Sequence, residues 1–262
     1  MPYQTDIATP NGAPPRTVLA EEIAEARTRN ACLSALSSDA LSLLKPYLTE
    51  TALREGSVLW AVTKPSSEVY FPTSGLISIV LPVSEGAFVE VGSVCNQAAV
   101  GAIFGPSGSY TQGVVEIGGR CICIPAQRLL FAAKQNSEIE NLVNSCRDWI
   151  FMQAQQMAVC NAMHPADERF CRWLFQVCER MDTDTVAVTQ DMIASLLGIR
   201  RTTVTLIAQK WQAEGLIQYR RGKIAVLDRP RLRAAACECC NNLARKHWPS
   251  MRMLAATASK QS

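Results

Sequence analysis

Residues 189–211 read TQDMIASLLGIRRTTVTLIAQKW, and this stretch decides the fold of the C-terminal part of the chain. Two segments with helical character meet at Gly198, because glycine can take the left-handed conformation that a tight turn between helices requires. Ala194 is small enough to let the two helices approach each other. Val204 and Ile207 are apolar residues at a spacing that packs the second helix onto the first. The stretch therefore predicts a helix-turn-helix unit.

The second of these helices begins with side chains that suit the reading of DNA. The first turns of such a helix enter the major groove. Arginine can bond bidentately to guanine there, and threonine can bond to base edges or touch thymine methyl groups. At the start of the unit, Thr189 is also placed to cap the first helix. The candidate DNA-binding residues of the unit are Thr189, Gln190, Arg200, Arg201, Thr202, Thr203 and Thr205.

A β-hairpin is predicted directly after this unit, in the sequence LIQYRRGKIAVLD at residues 216–228. Between residues 198 and 223 there are six basic residues and one acidic residue, so the net charge of +3 for the whole chain hides a basic face. Basic side chains at a hairpin tip suit contacts with phosphate. The candidates are Arg220, Arg221 and Lys223. Residues 164–230 are thus predicted to form a winged helix-turn-helix domain, against the alternative of a helical hairpin with a solvated charged face.

Upstream of the winged helix-turn-helix domain, the sequence favours a long helix that ends in a predicted hinge at residues 163–165. Residues 126–163 contain no Gly or Pro, and Pro165 ends the helix near His164. Within residues 136–163, seven residues follow one another in alternating steps of four and three, the spacing that keeps one seam facing a partner helix. The predicted dimerisation seam is Ile139, Val143, Cys146, Ile150, Gln153, Met157 and Cys160. Packing of the same face on the chain's own β domain is the alternative.

Between about Val58 and Pro125 the chain consists of short apolar runs separated by turn-rich segments. The runs are VLWAV, EVYF, LISIVLPV, FVEVGSV, VVEIGG and CICIPA. Many short strands at this spacing predict an antiparallel sandwich or barrel. The predicted fold class is α+β, with an antiparallel, jelly-roll-like β domain at residues 31–135, the long helix, and the winged helix-turn-helix domain. A flexible arm at 1–30 and a C-terminal helix and tail at 231–262 complete the organisation.

Length and composition are those of a globular protein with two compact domains. The chain has 262 residues, of which 48% are hydrophobic and 19% charged. No run approaches the roughly 18 apolar residues that a membrane span needs. The polar, Pro- and Thr-rich N-terminus lacks the basic start and apolar core of a secretory signal, and helical sequence follows at residues 17–47. A cytoplasmic location is therefore expected.

The eleven cysteines need a separate interpretation. Their odd number and the lack of a signal peptide argue against a disulfide framework. The one Cys-x-x-Cys spacing joins Cys237 to Cys240, and no second pair completes a four-cysteine zinc site, so no metal site is predicted. With Cys239 these two cysteines form a candidate redox cluster, although ordinary buried thiols explain it equally simply. Cys121 and Cys123 alternate onto one face of a predicted strand.

Over most of residues 31–240 the sequence resembles the Crp/Fnr superfamily of bacterial regulators. The segments follow in the order of that family, namely a β-roll sensor domain, a long dimerisation helix, a hinge and a winged helix. The resemblance is carried by VYFPTSGLIS in the roll, CNAMHPADERFCRWL across the hinge, and VTQDMIASLLGIRRTTVT with LIQYRRGKIAVLD behind it. It implies a cyclic-nucleotide-binding-like roll and a homodimer that regulates transcription by binding a two-fold symmetric operator in double-stranded DNA, with Arg201 at a major position for base contact. RNA polymerase and a small effector are the further partners that it implies.

The departures from this resemblance concern the effector. Cyclic-nucleotide-binding relatives carry a Gly-Glu pair for the ribose and an Arg-Ser or Arg-Thr pair for the phosphate. Here Ala102 follows Gly101, and Gln112-Gly113 stand in place of the second pair. A buried phosphate without an arginine is badly paired, so cAMP is not expected to bind. The degenerate effector pocket comprises Gly101, Ala102, Thr111, Gln112 and Gly113.

No other cofactor is expected from the resemblance. Iron–sulfur members need several cysteines near the N-terminus, and here Cys32 is the one cysteine before the roll. Haem-sensing members use a histidine or an N-terminal amine, and the two histidines, His164 and His247, both lie outside the roll. An iron–sulfur cluster and haem are therefore both considered absent.

Three other functions were weighed against a DNA-binding regulator. A metal-dependent barrel enzyme needs several histidines and a carboxylate inside the barrel, and the β region contains no histidine, so the protein is not expected to be an enzyme. An interaction module that has lost DNA binding would show a depleted wing, whereas this one reads RRGK. A thiol-based redox-responsive regulator stays open, because sequence does not show whether a thiol is exposed or has a lowered pKa.

Overall fold

The computed structural model describes residues 16–17, 29–62, 64, 66–83, 88–104 and 110–241. The described residues divide into two compact units, one within residues 16–79 and 93–151 and the other within residues 80–92 and 152–241. The predicted α+β class is confirmed, with strands first, a long helix next and a mainly helical unit last. None of the helices in the described ranges is long and apolar enough to span a membrane.

Two sheets form the β-roll, and the strand pairs resolved in register are antiparallel. The first contains, in spatial order, β1 (Arg16–Thr17), β2 (Thr49–Leu53), β9 (Gly119–Pro125), β4 (Glu68–Pro72) and β7 (Val100–Gly101). The second contains β3 (Val58–Trp60), β8 (Gln112–Ile117), β5 (Leu76–Pro82) and β6 (Phe88–Val94).

The six apolar runs in the sequence correspond to six of these strands, β3 to β6, β8 and β9. Their side chains build the core of the roll, where Phe71, Ile77 and Ile124 have no exposed surface. Burial of each such side chain stabilises the fold by roughly 1.5–3 kcal/mol. The sequence did not predict β1, β2 or β7. Thr17, where helical sequence was expected to begin, lies in β1, and residues 18–28 lie outside the described ranges.

Short helices flank the roll, and side-chain caps fix where they begin. They are α1 (Ala31–Ala35), α2 (Ser38–Leu44), a 3-10 turn (Lys45–Tyr47) and α3 (Ala126–Ala133). Asn30 is fully buried, and its amide oxygen accepts hydrogen bonds from the backbone N–H groups of Cys32 and Leu33 at 3.0 and 3.3 Å. Its amide nitrogen donates to the Pro72 carbonyl at 2.8 Å, so the cap also ties α1 to the end of β4.

The stretch predicted as one long helix forms two helices, α3 and α4 (Ser137–Met163), with a break between them. The side-chain oxygen of Asn136 accepts from the N–H groups of Glu138 and Ile139 at 2.9 and 3.2 Å. An asparagine at this position caps a new helix, so it separates α4 from α3.

The stripe on α4 faces the interior of the chain, and the predicted dimerisation seam was therefore wrong as a set of residues available to a partner. Cys146 lies 3.4 Å from Cys32 between sulfur atoms, and Met157 accepts a hydrogen bond from Arg172. A side chain that is already buried has no surface to give to a second protomer, and the alternative of core packing explains the spacing. The exposed fraction is at most 6% for all seven residues, Ile139, Val143, Cys146, Ile150, Gln153, Met157 and Cys160.

Opposite this stripe, α4 presents an apolar face to solvent. Phe151, Val159 and Met163 are exposed by 63%, 52% and 73%. Ala158 and Ala162 lie beside them and are exposed as well. On a helix of 3.6 residues per turn these five positions fall on one side.

The second unit contains a winged helix-turn-helix fold. Its helices are α5 (Ala166–Met181), α6 (Gln190–Leu197), α7 (Arg201–Ala213) and α8 (Arg229–Ala235). A sheet of β10 (Thr185–Ala187), β12 (Lys223–Val226) and β11 (Ile217–Arg220) lies between them in the sequence, in that spatial order. Fully buried side chains from every helix form the core, namely Phe170, Leu174, Ile193, Val204 and Leu232.

The two faces of α4 make a direct prediction about stability. Replacing the buried Val143 by Asp should lower the free energy of unfolding by about 3–5 kcal/mol, because it leaves an unpaired charge in the core. The matched change Asn144→Asp, on the exposed neighbour, should alter it by less than about 0.5 kcal/mol. Urea unfolding followed by tryptophan fluorescence measures both. A Val143→Asp protein that is as stable as the parent but no longer self-associates would restore the seam predicted from sequence.

Candidate nucleic-acid interface

The turn of the helix-turn-helix unit has the geometry that its sequence predicts. The hydroxyl of Thr189 accepts a hydrogen bond from the Met192 N–H at 3.2 Å and so caps α6. The helix ends at Gly198, which is left-handed with φ 62° and ψ 41°. The next N–H, that of Ile199, donates to the Ala194 carbonyl at 2.9 Å and closes the turn. The role the structure gives Thr189 is a cap, and its contact with DNA stays a prediction.

Helix α7 follows two residues after this turn, with one face buried and the other free. Val204, Ile207 and Trp211 are buried against the rest of the unit, as expected for the first two from their spacing. The predicted DNA-binding residues lie on the other side. Arg200, Arg201 and Thr202 are exposed, and Thr203 and Thr205 are half-buried.

Hydrogen bonds link the polar residues at the start of α6 and α7. The Thr205 hydroxyl donates to the side-chain oxygen of Gln190 at 2.8 Å and so connects the two helices. The Arg201 Nε lies 3.5 Å from a carboxylate oxygen of Asp191. Both partners of this ion pair are more than half exposed, and such pairs contribute little to stability. The guanidinium of Arg201 can therefore leave Asp191 for a base at little cost.

One exposed residue of α7 was missed by the sequence analysis. Leu206 is 67% exposed, although it is a large apolar side chain in a well-packed domain. It lies one turn beyond Thr202 on the same side of the helix. Polarity alone does not identify this residue, whereas its helical spacing from Arg201 and Thr202 does indicate an outward position. An apolar side chain here can contact a thymine methyl group.

The predicted hairpin is present, and its tip is a two-residue turn. Arg220 pairs with Lys223, and Arg221 and Gly222 between them have φ values of 50° and 73°. Two positive φ values make a type I′ turn, which matches the twist of the two strands. Residues 217–226 are called the wing below. Its cations Arg220, Arg221 and Lys223 are exposed, and no ion pair occupies them in the described ranges.

The residues of the predicted effector pocket are placed by tight packing of the roll. At Gly113 an added Cβ would lie 2.1 Å from the Trp60 ring, and at Gly101, with φ 109°, it would lie 2.4 Å from the Glu68 carbonyl. The Trp60 indole N–H donates to the Thr111 hydroxyl at 3.4 Å. Ala102 begins a 3-10 turn and Gln112 begins β8. Residues 105–109, between the two halves of the predicted pocket, lie outside the described ranges, so the pocket stays a prediction.

All eleven cysteines are buried and none forms a disulfide. Cys121 and Cys123 face the same side of β9 as predicted, with 3.4 Å between their sulfur atoms. Their hydrogen bond and burial raise the pKa of Cys123, and burial raises the pKa of Cys240. A reactive thiol needs exposure and a lowered pKa, so neither has the surroundings of a redox sensor.

The other two cysteines of the predicted redox cluster have different surroundings. Cys237 and Cys239 lie in one buried group with Cys160. The hydrogen bond between the two sulfur atoms and burial raise the pKa of Cys237, whereas the same hydrogen bond lowers the pKa of Cys160. His164, directly after α4, lies beside these three cysteines. The sequence, from which no metal site was predicted, did not indicate that these four residues meet.

Comparison with known proteins gives the same fold. Residues 168–235 match the family model of the Crp-like helix-turn-helix domain, so this part of the chain is a Crp-like helix-turn-helix domain. No curated protein sequence matches the chain. Solved structures with the same architecture include FixK2 from Bradyrhizobium japonicum, with 17% identity, a TM-score of 0.65, and coverage of 72% of this chain and 98% of that one.

Two further solved structures support this assignment. A CRP/FNR-family transcriptional regulator from Thermus thermophilus has 20% identity and a TM-score of 0.56, with 71% of this chain and 97% of that chain covered. The c-di-GMP responsive global regulator CLP from Xanthomonas campestris has 15% identity and a TM-score of 0.61, with 73% and 100% covered. The chain therefore has the Crp/Fnr regulator fold, as its sequence motifs predicted.

The turn between α6 and α7 generates a test of how the interface is positioned. Gly198→Ala should lower the free energy of unfolding by about 1–2 kcal/mol, since a Cβ is disfavoured in the left-handed conformation. Gly198→Asn should cost less, because asparagine tolerates that conformation. Urea titration of the three proteins gives the comparison. Equal stability of all three would show that the turn does not depend on glycine.

Proposed function

We propose that this protein is a homodimeric transcription regulator that binds a two-fold symmetric operator in the cytoplasm. It contains a Crp-like helix-turn-helix domain and has the Crp/Fnr fold. The observation that carries the proposal is the surface formed by the start of α7 and the wing. Its five cations are exposed, and Arg201 alone has an ion-pair partner in the described ranges. A regulator fold that had lost DNA binding would have no reason to keep them. The five are Arg200, Arg201, Arg220, Arg221 and Lys223.

In this proposal each part of the surface has a separate role. Arg201, in the first turn of α7, reads a guanine in the major groove through two parallel hydrogen bonds. Thr202 and Leu206 lie one turn apart beside it, where they can contact neighbouring bases. The wing cations bind phosphates, which gives affinity and register but no sequence information. Gln190 and Thr205 hold the two helices together by their mutual hydrogen bond.

The homodimer is proposed to form through the exposed apolar face of α4. Phe151, Val159 and Met163 lie on that face, with Ala158 and Ala162 between them. The exposed Gln155 lies between Phe151 and the other four residues, so the face is mainly but not wholly apolar. An exposed, mainly apolar helix face is the kind of surface that a second protein covers. Covering it with the same face of a second copy gives the two-fold axis that a symmetric operator requires. Two α7 helices then contact successive major grooves, about 34 Å apart.

Control by an effector remains part of the proposal, with the signal unidentified. The roll lacks the Glu and Arg of the cyclic-nucleotide-binding pattern, since Ala102, Gln112 and Gly113 occupy those positions. We expect no cAMP binding for that reason. α4 ends at Met163 and Pro165 precedes the next helix, and we propose that a signal reaches the DNA-binding residues through a change in the packing of α4 near this hinge. Contact with RNA polymerase would then depend on the operator's position.

Two substitutions separate base reading from phosphate binding. Arg201→Ala should weaken binding to the selected operator by roughly 1–3 kcal/mol and leave binding to random DNA nearly unchanged. Arg221→Asn keeps the positive φ that the wing turn needs, so it should weaken both kinds of DNA similarly. It should also reduce the slope of log affinity against log salt by about one. Fluorescence anisotropy titrations at several salt concentrations measure both effects. Equal losses on both DNAs for Arg201→Ala would contradict its role.

A third substitution tests the dimer face. Phe151→Glu should convert the dimer to a monomer in sedimentation velocity and lower the affinity for a symmetric operator, because each half-site then binds independently. Phe131→Glu is the matched control, since Phe131 is 60% exposed and lies on a different helix, α3. It should leave the dimer intact. A Phe151→Glu protein that sediments as the parent does would exclude this face of α4 as the interface.

A further inference from the structure

Four side chains from two distant parts of the sequence meet in the second unit. Cys160 lies in the last turn of α4, and His164 lies one turn further. The backbone N–H of His164 donates to the Cys160 carbonyl at 3.1 Å. Cys237 and Cys239 follow α8. One sulfur or ring nitrogen atom from each of the four residues lies within 4.8 Å of all the others. We call these four residues the Cys3His cluster.

Two of the distances inside the cluster match the edges of a tetrahedral metal site, and the remaining ones are at most 4.8 Å. A zinc ion has Zn–S distances of about 2.3 Å and Zn–N distances of about 2.0 Å. The edges of such a tetrahedron are about 3.8 Å between two sulfurs and about 3.6 Å between sulfur and nitrogen. Here the sulfurs of Cys160 and Cys237 are 3.6 Å apart, and the Cys239 sulfur is 3.7 Å from His164 Nδ1.

The surroundings of the cluster also fit a metal. His164 has its other ring nitrogen, Nε2, 3.0 Å from a carboxylate oxygen of Glu238, so it can donate there and direct Nδ1 at the cluster. Metal-binding histidines almost always have such a partner. The side-chain amide of Gln156 donates to the Cys239 sulfur at 2.9 Å. A donor to a thiolate ligand is a further common feature of metal–thiolate sites.

Arg172 supplies charge compensation for the cluster. It is 3% exposed, and it forms no ion pair with a carboxylate in the described ranges. Its guanidinium contacts the side chains of Met157 and Gln176, and its Nε has no hydrogen-bond partner there. A buried cation needs a negative counterpart. Three thiolates around a divalent cation carry one net negative charge, which would balance the charge of Arg172.

We propose that Cys160, His164, Cys237 and Cys239 bind one zinc ion in a closed tetrahedral site. Three thiolates and an imidazole bind zinc in preference to magnesium or calcium, because these two ions take oxygen ligands. The protein fills all four positions, so the site is structural and leaves no open position for a reacting water. Binding releases the thiol protons to solvent, and no oxidation or reduction takes place.

The ion would fasten the C-terminal segment to the end of α4. Cys160 and His164 precede the whole winged helix-turn-helix fold, and Cys237 and Cys239 follow it. A bond between the two ends closes that fold into a loop, which reduces the entropy of the unfolded chain. Since the ion binds the folded form, it also stabilises that form by mass action.

Zinc and cobalt binding by the purified full-length chain test the site directly. The protein, kept reduced and free of chelator, should contain one zinc per chain by elemental analysis. Cobalt in place of zinc should give the visible bands of a tetrahedral site and the near-ultraviolet bands of thiolate ligation. Cys239→Ser should lose both signals. Cys240→Ser, which removes a buried neighbouring thiol outside the cluster, should keep them.

Two variants at more exposed positions guard against misfolding of Cys239→Ser. His164→Gln should retain cobalt–thiolate absorption but shift the visible bands, because one nitrogen ligand is lost. Glu238→Gln should weaken zinc binding by about 10–100-fold, the usual effect of losing a partner of a metal-binding histidine. Chelation should lower the Tm of the parent and of Cys240→Ser.

Several results would overturn the proposal. They are a parent protein without bound zinc or cobalt bands, equal metal loss in Cys239→Ser and Cys240→Ser, and a Cys160–Cys237 disulfide found by mass spectrometry in protein kept reduced. Unchanged zinc affinity in Glu238→Gln and His164→Gln would also exclude the site. None of these readouts depends on DNA, so failure here leaves the proposed DNA-binding function unaffected.

Discussion

Helix α4 contributes to both compact units of the chain, and burial of one of its faces is the constraint on which much of the structure depends. That face carries Val143 and Cys146 in the first unit and Met157 and Cys160 in the second. Because these side chains are taken up by the protomer, the opposite face, with Phe151, is left to solvent. One helix thus stabilises the fold on one side and leaves exposed, on the other, the surface that we propose for the dimer.

The DNA-binding surface depends on a different constraint, the left-handed Gly198 between α6 and α7. This turn directs the apolar residues of α7 inward and leaves the side with Arg201 exposed. The wing turn at Arg221 and Gly222 places further cations at a hairpin tip. Although the net charge of the whole chain is only +3, positive charge is therefore concentrated where a polyanion can be bound.

Much of this architecture could be predicted from the sequence because the signals are local. Six strands of the roll and the turn at Gly198 each follow from a few neighbouring residues, and so does the hairpin. The partner of a helix face is not a local property. A heptad-like stripe describes packing against the chain's own core as well as it describes a coiled coil, and here Ile150 and Gln153 are buried in the chain. Periodicity identified the buried face of α4 but not what covers it.

The Cys3His cluster was missed for a similar reason. A zinc site predicted from sequence needs a second pair of cysteines near Cys237, whereas Cys160 and His164 lie more than seventy residues before their partners. Cys160 was assigned to the seam, and His164 was assigned to the hinge. The spacing that would have suggested the site is a cysteine and a histidine one helical turn apart, together with Cys-x-Cys. Only the fold shows that these two short motifs meet.

The central claim is that a dimer of this chain reads a symmetric DNA sequence, and selection of bound sequences from a random pool of double-stranded DNA tests it most directly. The account predicts enrichment of an inverted repeat whose half-site centres are about one helical turn apart. Enrichment should not depend on reductant, because the thiols of the roll and Cys240 are buried. No enriched sequence, or a single half-site without symmetry, would contradict the account.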